Sequence, residues 1–168
     1  MGKEHSYAVT VRWTGNTGTG TSGYRAYGRG HDVVAEGKPD IHATADPAFG
    51  GVPERWNPED LLVASLSQCH MLTYLALCAC HGVVVTGYED TAHGRMRETP
   101  GHSGHFTEVV LNPLVTVADP VMTERAVALH HDAHAACFIA NSVNFPVRHE
   151  PTVRVAADEV TDQAASHG

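Results

Sequence analysis

Asn57-Pro58-Glu59-Asp60-Leu61-Leu62-Val63-Ala64-Ser65-Leu66-Ser67-Gln68-Cys69 opens a long apolar run, and its first four residues decide how that run is read. Asn57 suits an N-cap, because its side chain can accept from the N–H groups left unpaired at a helix start. Pro58 suits the first helical position, where no N–H is needed. Glu59 and Asp60 place negative charge at the positive end of the helix dipole. The pattern predicts a helix from Asn57 to about His81, ended by Gly82 in the left-handed conformation. Leucine, alanine, methionine and tyrosine occupy almost every side of it. That predicts a central helix buried all round, covered in part by a second subunit.

Upstream, residues 7–13 alternate Val9, Val11 and Trp13 with Ala8, Thr10 and Arg12, the period of a half-buried strand. The glycine-rich stretch 15–23 reads as a turn, since no helix start and no Lys-Ser/Thr pair follows to make a phosphate cradle. Residues 24–36 and 41–45 read as strands separated by the turn Gly37-Lys38-Pro39-Asp40, and 46–56 as a loop. Downstream, residues 83–90 have strand character, 99–104 form a turn, and 106–117 carry a strand broken at Asn112-Pro113. Asp119-Pro120 repeats the cap-then-proline signal and opens a second helix reaching about Ala140. Residues 143–155 supply one or two strands that Pro146 and Pro151 confine to edges or bends. The order predicts an α+β fold: a single domain over residues 1–156 and a flexible tail over 157–168.

The chain has 168 residues, 19 acidic against 11 basic side chains and a formal charge of −8. That balance repels polyanions and leaves no basic stripe for phosphate contacts, so nucleic acid is excluded as an expected partner. The first residues lack an apolar signal core, and Ser65, Ser67, Gln68, His70 and Thr73 interrupt the apolar run. A cytoplasmic protein outside the membrane is therefore expected. In that compartment four cysteines point to reduced, catalytic or metal-binding thiols more than to structural bridges. A chain of this size buries roughly 70% of its unfolded surface and needs no disulfide to fold.

Helix geometry narrows the thiol pairings. At ~100° and ~1.5 Å per residue, Cys78 points away from Cys69, and Cys80 returns to the same face ~16 Å farther on. A disulfide tolerates a Cα separation of only about 7 Å. Within one rigid fold Cys137 is left as the candidate partner of Cys69, and Cys78 and Cys80 read as small buried apolar residues. Glu59 lies ~15 Å before Cys69 along the axis. It reaches that thiol only from another subunit or through a bent helix start, and neutralising the helix dipole is an equal reading.

The segment from Asn57 to Leu62, with Ala64 and Cys69 and then Cys137 near the end of a second helix, resembles the OsmC/Ohr family of thiol-dependent hydroperoxide reductases over roughly residues 13–155. The resemblance implies an OsmC-like fold, with β-sheet regions wrapped around two long central helices in an intertwined homodimer. It implies that Cys69 attacks an organic hydroperoxide and becomes a sulfenic acid, that Cys137 resolves it to a disulfide, and that lipoyl or another dithiol reduces the disulfide without a bound cofactor. An arginine and the Asn-Pro-Glu glutamate assist in the family. Glu59 fills the second place, and Arg29, in Tyr27-Gly28-Arg29-Gly30, fits the first best, ahead of Arg25 and Arg55. A permanent cation opposes the tendency of a thiol, with a pKa near 8.5, to stay protonated. Cys137-Phe138 departs from the Cys-Pro often found in the family. Phe49, Leu66, Leu129 and Phe138 are candidates either for an apolar pocket wall or for core packing.

Thirteen histidines offer a competing chemistry. His130, His134 and Cys137 share one helical stripe and His70 adjoins Cys69, a donor set suited to zinc or a similar ion in a metal-binding or non-catalytic OsmC-like scaffold. His130 or His134 could instead tune the Cys137 thiol electrostatically.

Overall fold

The computed structural model describes residues 2–101 and 103–156; the expected tail at 157–168 lies outside the described residues. Up to Leu62 the chain forms one compact unit. Its antiparallel sheet has the order β1 (Thr10–Trp13), β2 (His31–Val34), β3 (Ile41–Ala43), with Trp13 opposite His31 and His31 opposite Ala43. The glycine-rich loop between β1 and β2 closes on itself because two glycines meet: Gly28 N–H donates to the Gly15 carbonyl, and a Cβ on Gly15 would overlap the Gly28 carbonyl. The Trp13 indole N–H donates to that same Gly28 carbonyl at 2.9 Å. Residues 24–30, expected as strand, are spent on this closure instead. Only Ala43, Thr44 and Asn57 are buried among the described residues of this unit.

The helix opened by Asn57, α1 (Pro58–Cys80), runs for 23 residues. Asn57 caps it as its side chain implies, accepting from the Asp60 N–H at 2.7 Å, and Gly82 takes the left-handed φ of 70° past its end. It is long and apolar enough to cross a membrane by composition. Four residues spaced four apart, Leu66, His70, Tyr74 and Cys78, are buried, and this stripe docks into the protein core. The all-round burial expected for α1 is not found within the single chain: Leu72 is 61% exposed. Gln68, Ala76, Ala79 and Cys80 also face outward, so the expectation for Cys80 is corrected while Cys78 is buried as expected.

From Val63 a second compact unit begins. It holds two three-stranded sheets, one ordered β4 (Val85–Asp90), β7 (Pro113–Val117), β9 (Thr152–Val155), the other β5 (His93–Thr99), β6 (Ser103–Leu111), β8 (Val147–His149). The predicted break at Asn112 moves the chain from β6 in one sheet to β7 in the other. β8 and β9 sit at sheet edges, where Pro146 and Pro151 were expected to confine them. β5 was not anticipated; its side chains are almost all exposed, so it carries no apolar alternation to read.

The second helix, α2 (Thr123–Ala136), is shorter than expected. Asp119 caps a 3-10 turn over Pro120–Met122, accepting from Val121 N–H, before α2 begins. Cys137 ends α2 as its C-cap, and a further 3-10 turn spans Ala140–Ser142. Two apolar clusters hold the unit. Leu66 of α1 packs with Val109 and Leu111 of β6 and Val147 of β8. Tyr74 and Cys78 pack with Val115 and Val117 of β7 and Ala126, Leu129 and Ala133 of α2. His70 lies between these two groups on the same α1 stripe.

Candidate active site

The second unit brings two of the expected residues together. Cys69 stands on α1 one residue before buried His70 and about 100° around the axis, which leaves it partly exposed. Cys137 is 1% exposed at the C-cap of α2. Their sulfurs are 2.9 Å apart, with the Cys137 S–H donating to Cys69. Both are free thiols, and a disulfide needs a sulfur separation of about 2.05 Å, so bond formation requires only a small approach. Burial first and then contact with Cys69 push the Cys137 thiol up to about 11, against the opposite pull of the Ala140 and Ile139 N–H groups. Neither His130 nor His134 is among the groups acting on it.

The histidines form a separate cluster. His70 Nε2 and His130 Nδ1 share a hydrogen bond at 3.0 Å, the two rings are nearly parallel, and Tyr74 stacks on His130 at 3.8 Å between centroids. His149 of β8 meets His70 edge-on and stacks on His134. The shared hydrogen bond uses one nitrogen of each ring, and His70 Nδ1 and His130 Nε2 have no hydrogen-bond partner among the described residues. Burial, followed by the neighbouring histidines, pushes His70 down to about 4 and His130 down to about 3, and His149 is lowered for the same reasons. Among the described residues no group of three or more His, Cys, Asp or Glu is placed to hold a metal ion, which corrects the ligand-set reading of His130, His134 and Cys137. His149 was missed from sequence because it lies in a three-residue strand with nothing periodic around it.

The remaining candidates stand in these local settings. Glu59 is in the first turn of α1. Arg29, in the first unit, donates to the Tyr27 and Tyr24 carbonyls at 2.6 and 2.9 Å and its guanidinium lies over both tyrosine rings. Arg55 of the same unit lies beside Gly30. Leu66 and Leu129 are core residues, Phe49 belongs to the 3-10 turn Pro47–Phe49, and Phe138 is 83% exposed beside Cys137.

Residues 51–152 match the family model described as OsmC-like protein. Among solved structures, an OsmC-like protein of unknown function from Vibrio cholerae is 31% identical over 89% of this chain and all of its own, with a TM-score of 0.78. An organic hydroperoxide resistance protein from Elizabethkingia anophelis shares the fold at 18% identity and a TM-score of 0.65, covering 92% of this chain and 100% of that one. One from Legionella pneumophila does so at 16% identity and a TM-score of 0.61, covering 89% and 98%. No curated protein sequence matches.

Proposed function

The chain belongs to the OsmC-like family, and on that footing we propose that it is a cytoplasmic thiol peroxidase that reduces organic hydroperoxides to alcohols. The observation that carries this reading is the 2.9 Å separation of the Cys69 and Cys137 sulfurs. The names of the Elizabethkingia and Legionella relatives support the choice of substrate class.

The accessible thiol, Cys69, is the attacking one, and the buried thiol waits behind it. The Cys69 thiolate attacks the outer peroxide oxygen, the O–O bond breaks, and the alkoxide leaves and takes a proton to become the alcohol; sulfur keeps the hydroxyl as a sulfenic acid. Cys137 then attacks that sulfur, the S–O bond breaks, and the departing hydroxide takes the Cys137 proton as water. An external dithiol, lipoyl or another, reduces the disulfide by two exchanges. In this reading Arg29 supplies the positive charge that favours the Cys69 thiolate, and Glu59 is its carboxylate counterpart.

The working form is a homodimer. β1 leaves Val11 and Trp13 63% and 44% exposed, and α1 leaves Leu72 outside, the kind of apolar surface a second subunit covers. Peroxide consumption with a dithiol donor tests the assignment: wild type turns over and Cys69→Ser does not, and equal rates remove it. Cys137→Ser, treated with cumene hydroperoxide, should stop at a sulfenic acid that a mass measurement records as one added oxygen. Formation of a mixed or internal disulfide without Cys137 would overturn the resolving role.

A further inference from the structure

Cys137 faces a chemical difficulty. It is sealed from water, burial disfavours its charged form, and among the described residues no cation acts on it, yet the proposed second step needs its thiolate. The structure around residues 135–142 answers that difficulty. The Ala140 N–H donates to the Cys137 sulfur at 3.5 Å, with the Ile139 N–H acting in the same sense. The Ala140 amide points at sulfur because the chain doubles back tightly after α2. The Asn141 N–H donates to the Cys137 carbonyl at 3.1 Å and the Ser142 N–H to the Ile139 carbonyl at 3.0 Å. The Ser142 hydroxyl donates to the Phe138 carbonyl at 2.7 Å. One side chain ties this turn to the helix before it: the Asn141 amide donates to the Ala135 carbonyl at 2.9 Å, satisfying one of the carbonyls left open at the C-terminal end of α2.

We infer that Asn141 is a positioning residue for the thiol of Cys137: by bridging the turn to α2 it aims the Ala140 N–H at the sulfur and so forms the anion cradle in which the attacking thiolate is made. Oriented backbone N–H groups in a water-excluded site stabilise an anion without reorganising. The turn does this with Phe138 following the cysteine, and the Phe138 side chain points to solvent and takes no part.

The inference rests on the proposed second step for its meaning, but its test does not depend on turnover. In a Cys69→Ser background, the Cβ carbon resonance of Cys137 is followed by NMR against pH, with and without Asn141→Ala. The midpoint should rise by about half a unit or more when Asn141 is removed. Tyr74→Phe, a loss of a buried hydrogen bond elsewhere on the same unit, should leave it where it was. An unchanged midpoint in the Asn141 variant, or an equal rise in Tyr74→Phe, overturns the positioning role. Should Asn141→Ala fail to fold, Asn141→Ser, too short to span to Ala135, takes its place under the same criteria. In the otherwise native protein, Asn141→Ala should slow disulfide formation after a single peroxide addition by roughly threefold or more while leaving the loss of the first peroxide equivalent unchanged, since only the second thiolate is affected. Absence of peroxide loss in wild type would sink the peroxidase reading alone; the midpoint shift stands or falls separately.

Discussion

Cys69 and His70 are consecutive residues on α1, and both reach across to α2 or its C-cap, yet they enter opposite environments. The thiol pair opens partly to solvent on one side, whereas the imidazole pair is 1% exposed on both partners and lies between the two apolar clusters. A turn of 100° on one helix separates a site that can meet a substrate from a contact that can only hold the fold. The comparison teaches that in this chain histidine number and spacing signal packing, and that the proposed chemistry belongs to the residue left half outside.

The sharpest way to break the comparison is at the open side. Cys69→Ser should lower dithiol-driven peroxide turnover by on the order of 10³-fold or more while the thermal midpoint stays near that of wild type, since the replacement is nearly isosteric and only partly buried. A large fall in the midpoint with activity retained would reverse the roles assigned to the two contacts.

The sealed side should respond to acid. Unfolded histidine takes up a proton near pH 6.5, whereas His70 and His130 stay neutral down to about 4 and about 3. Between those values the unfolded chain binds more protons than the folded one. Stability is therefore full above pH 6.5, declines as pH falls through this window, and levels off below about 3. For His70 alone the loss is on the order of 3 kcal/mol by pH 4. Urea midpoints at pH 7, 5.5 and 4.5 read this directly, and a flat series would mean that the imidazoles find charge-stabilising partners. A smaller test touches the same stack: Tyr74→Phe removes the hydroxyl that donates to the Ala126 carbonyl at 3.1 Å and should cost about 1 kcal/mol in a urea melt, with peroxide turnover unaltered.

Much of this was legible in the residues because it follows from local chemistry. Asn57 and Pro58 announce the start of α1, Gly82 its end, Asn112-Pro113 the break between β6 and β7, and Pro146 and Pro151 the edge or bent positions of β8 and β9. Eliminating Cys78 and Cys80 by helix arithmetic left Cys137 as the candidate partner of Cys69, the family resemblance implied the pairing, and the two sulfurs stand 2.9 Å apart. What escaped depends on tertiary placement. β5 has no buried face and so no pattern. α2 ends four residues early because Cys137 leaves helical geometry to become its cap, and from the sequence Ala140 and Asn141 look like its continuation. The histidine stripe satisfies ligand spacing on one helix, but His70 and His149 arrive from other elements and pack against its rings, which spacing along one helix cannot reveal.

The two closing strands of the second unit are each parallel to a partner far back in the chain: Val109 sits opposite Val147 and Leu114 opposite Thr152. About forty residues must therefore be looped before either pairing can form, and loop closure of that span is paid before any ladder bond rewards it. The consequence falls on biosynthesis. The β5-β6-β8 sheet cannot be completed until residue 149 has cleared the ribosome, nor the β4-β7-β9 sheet until residue 155 has, so the growing chain holds Val109 and then Val115 as unfinished, sticky surface while those residues are being made.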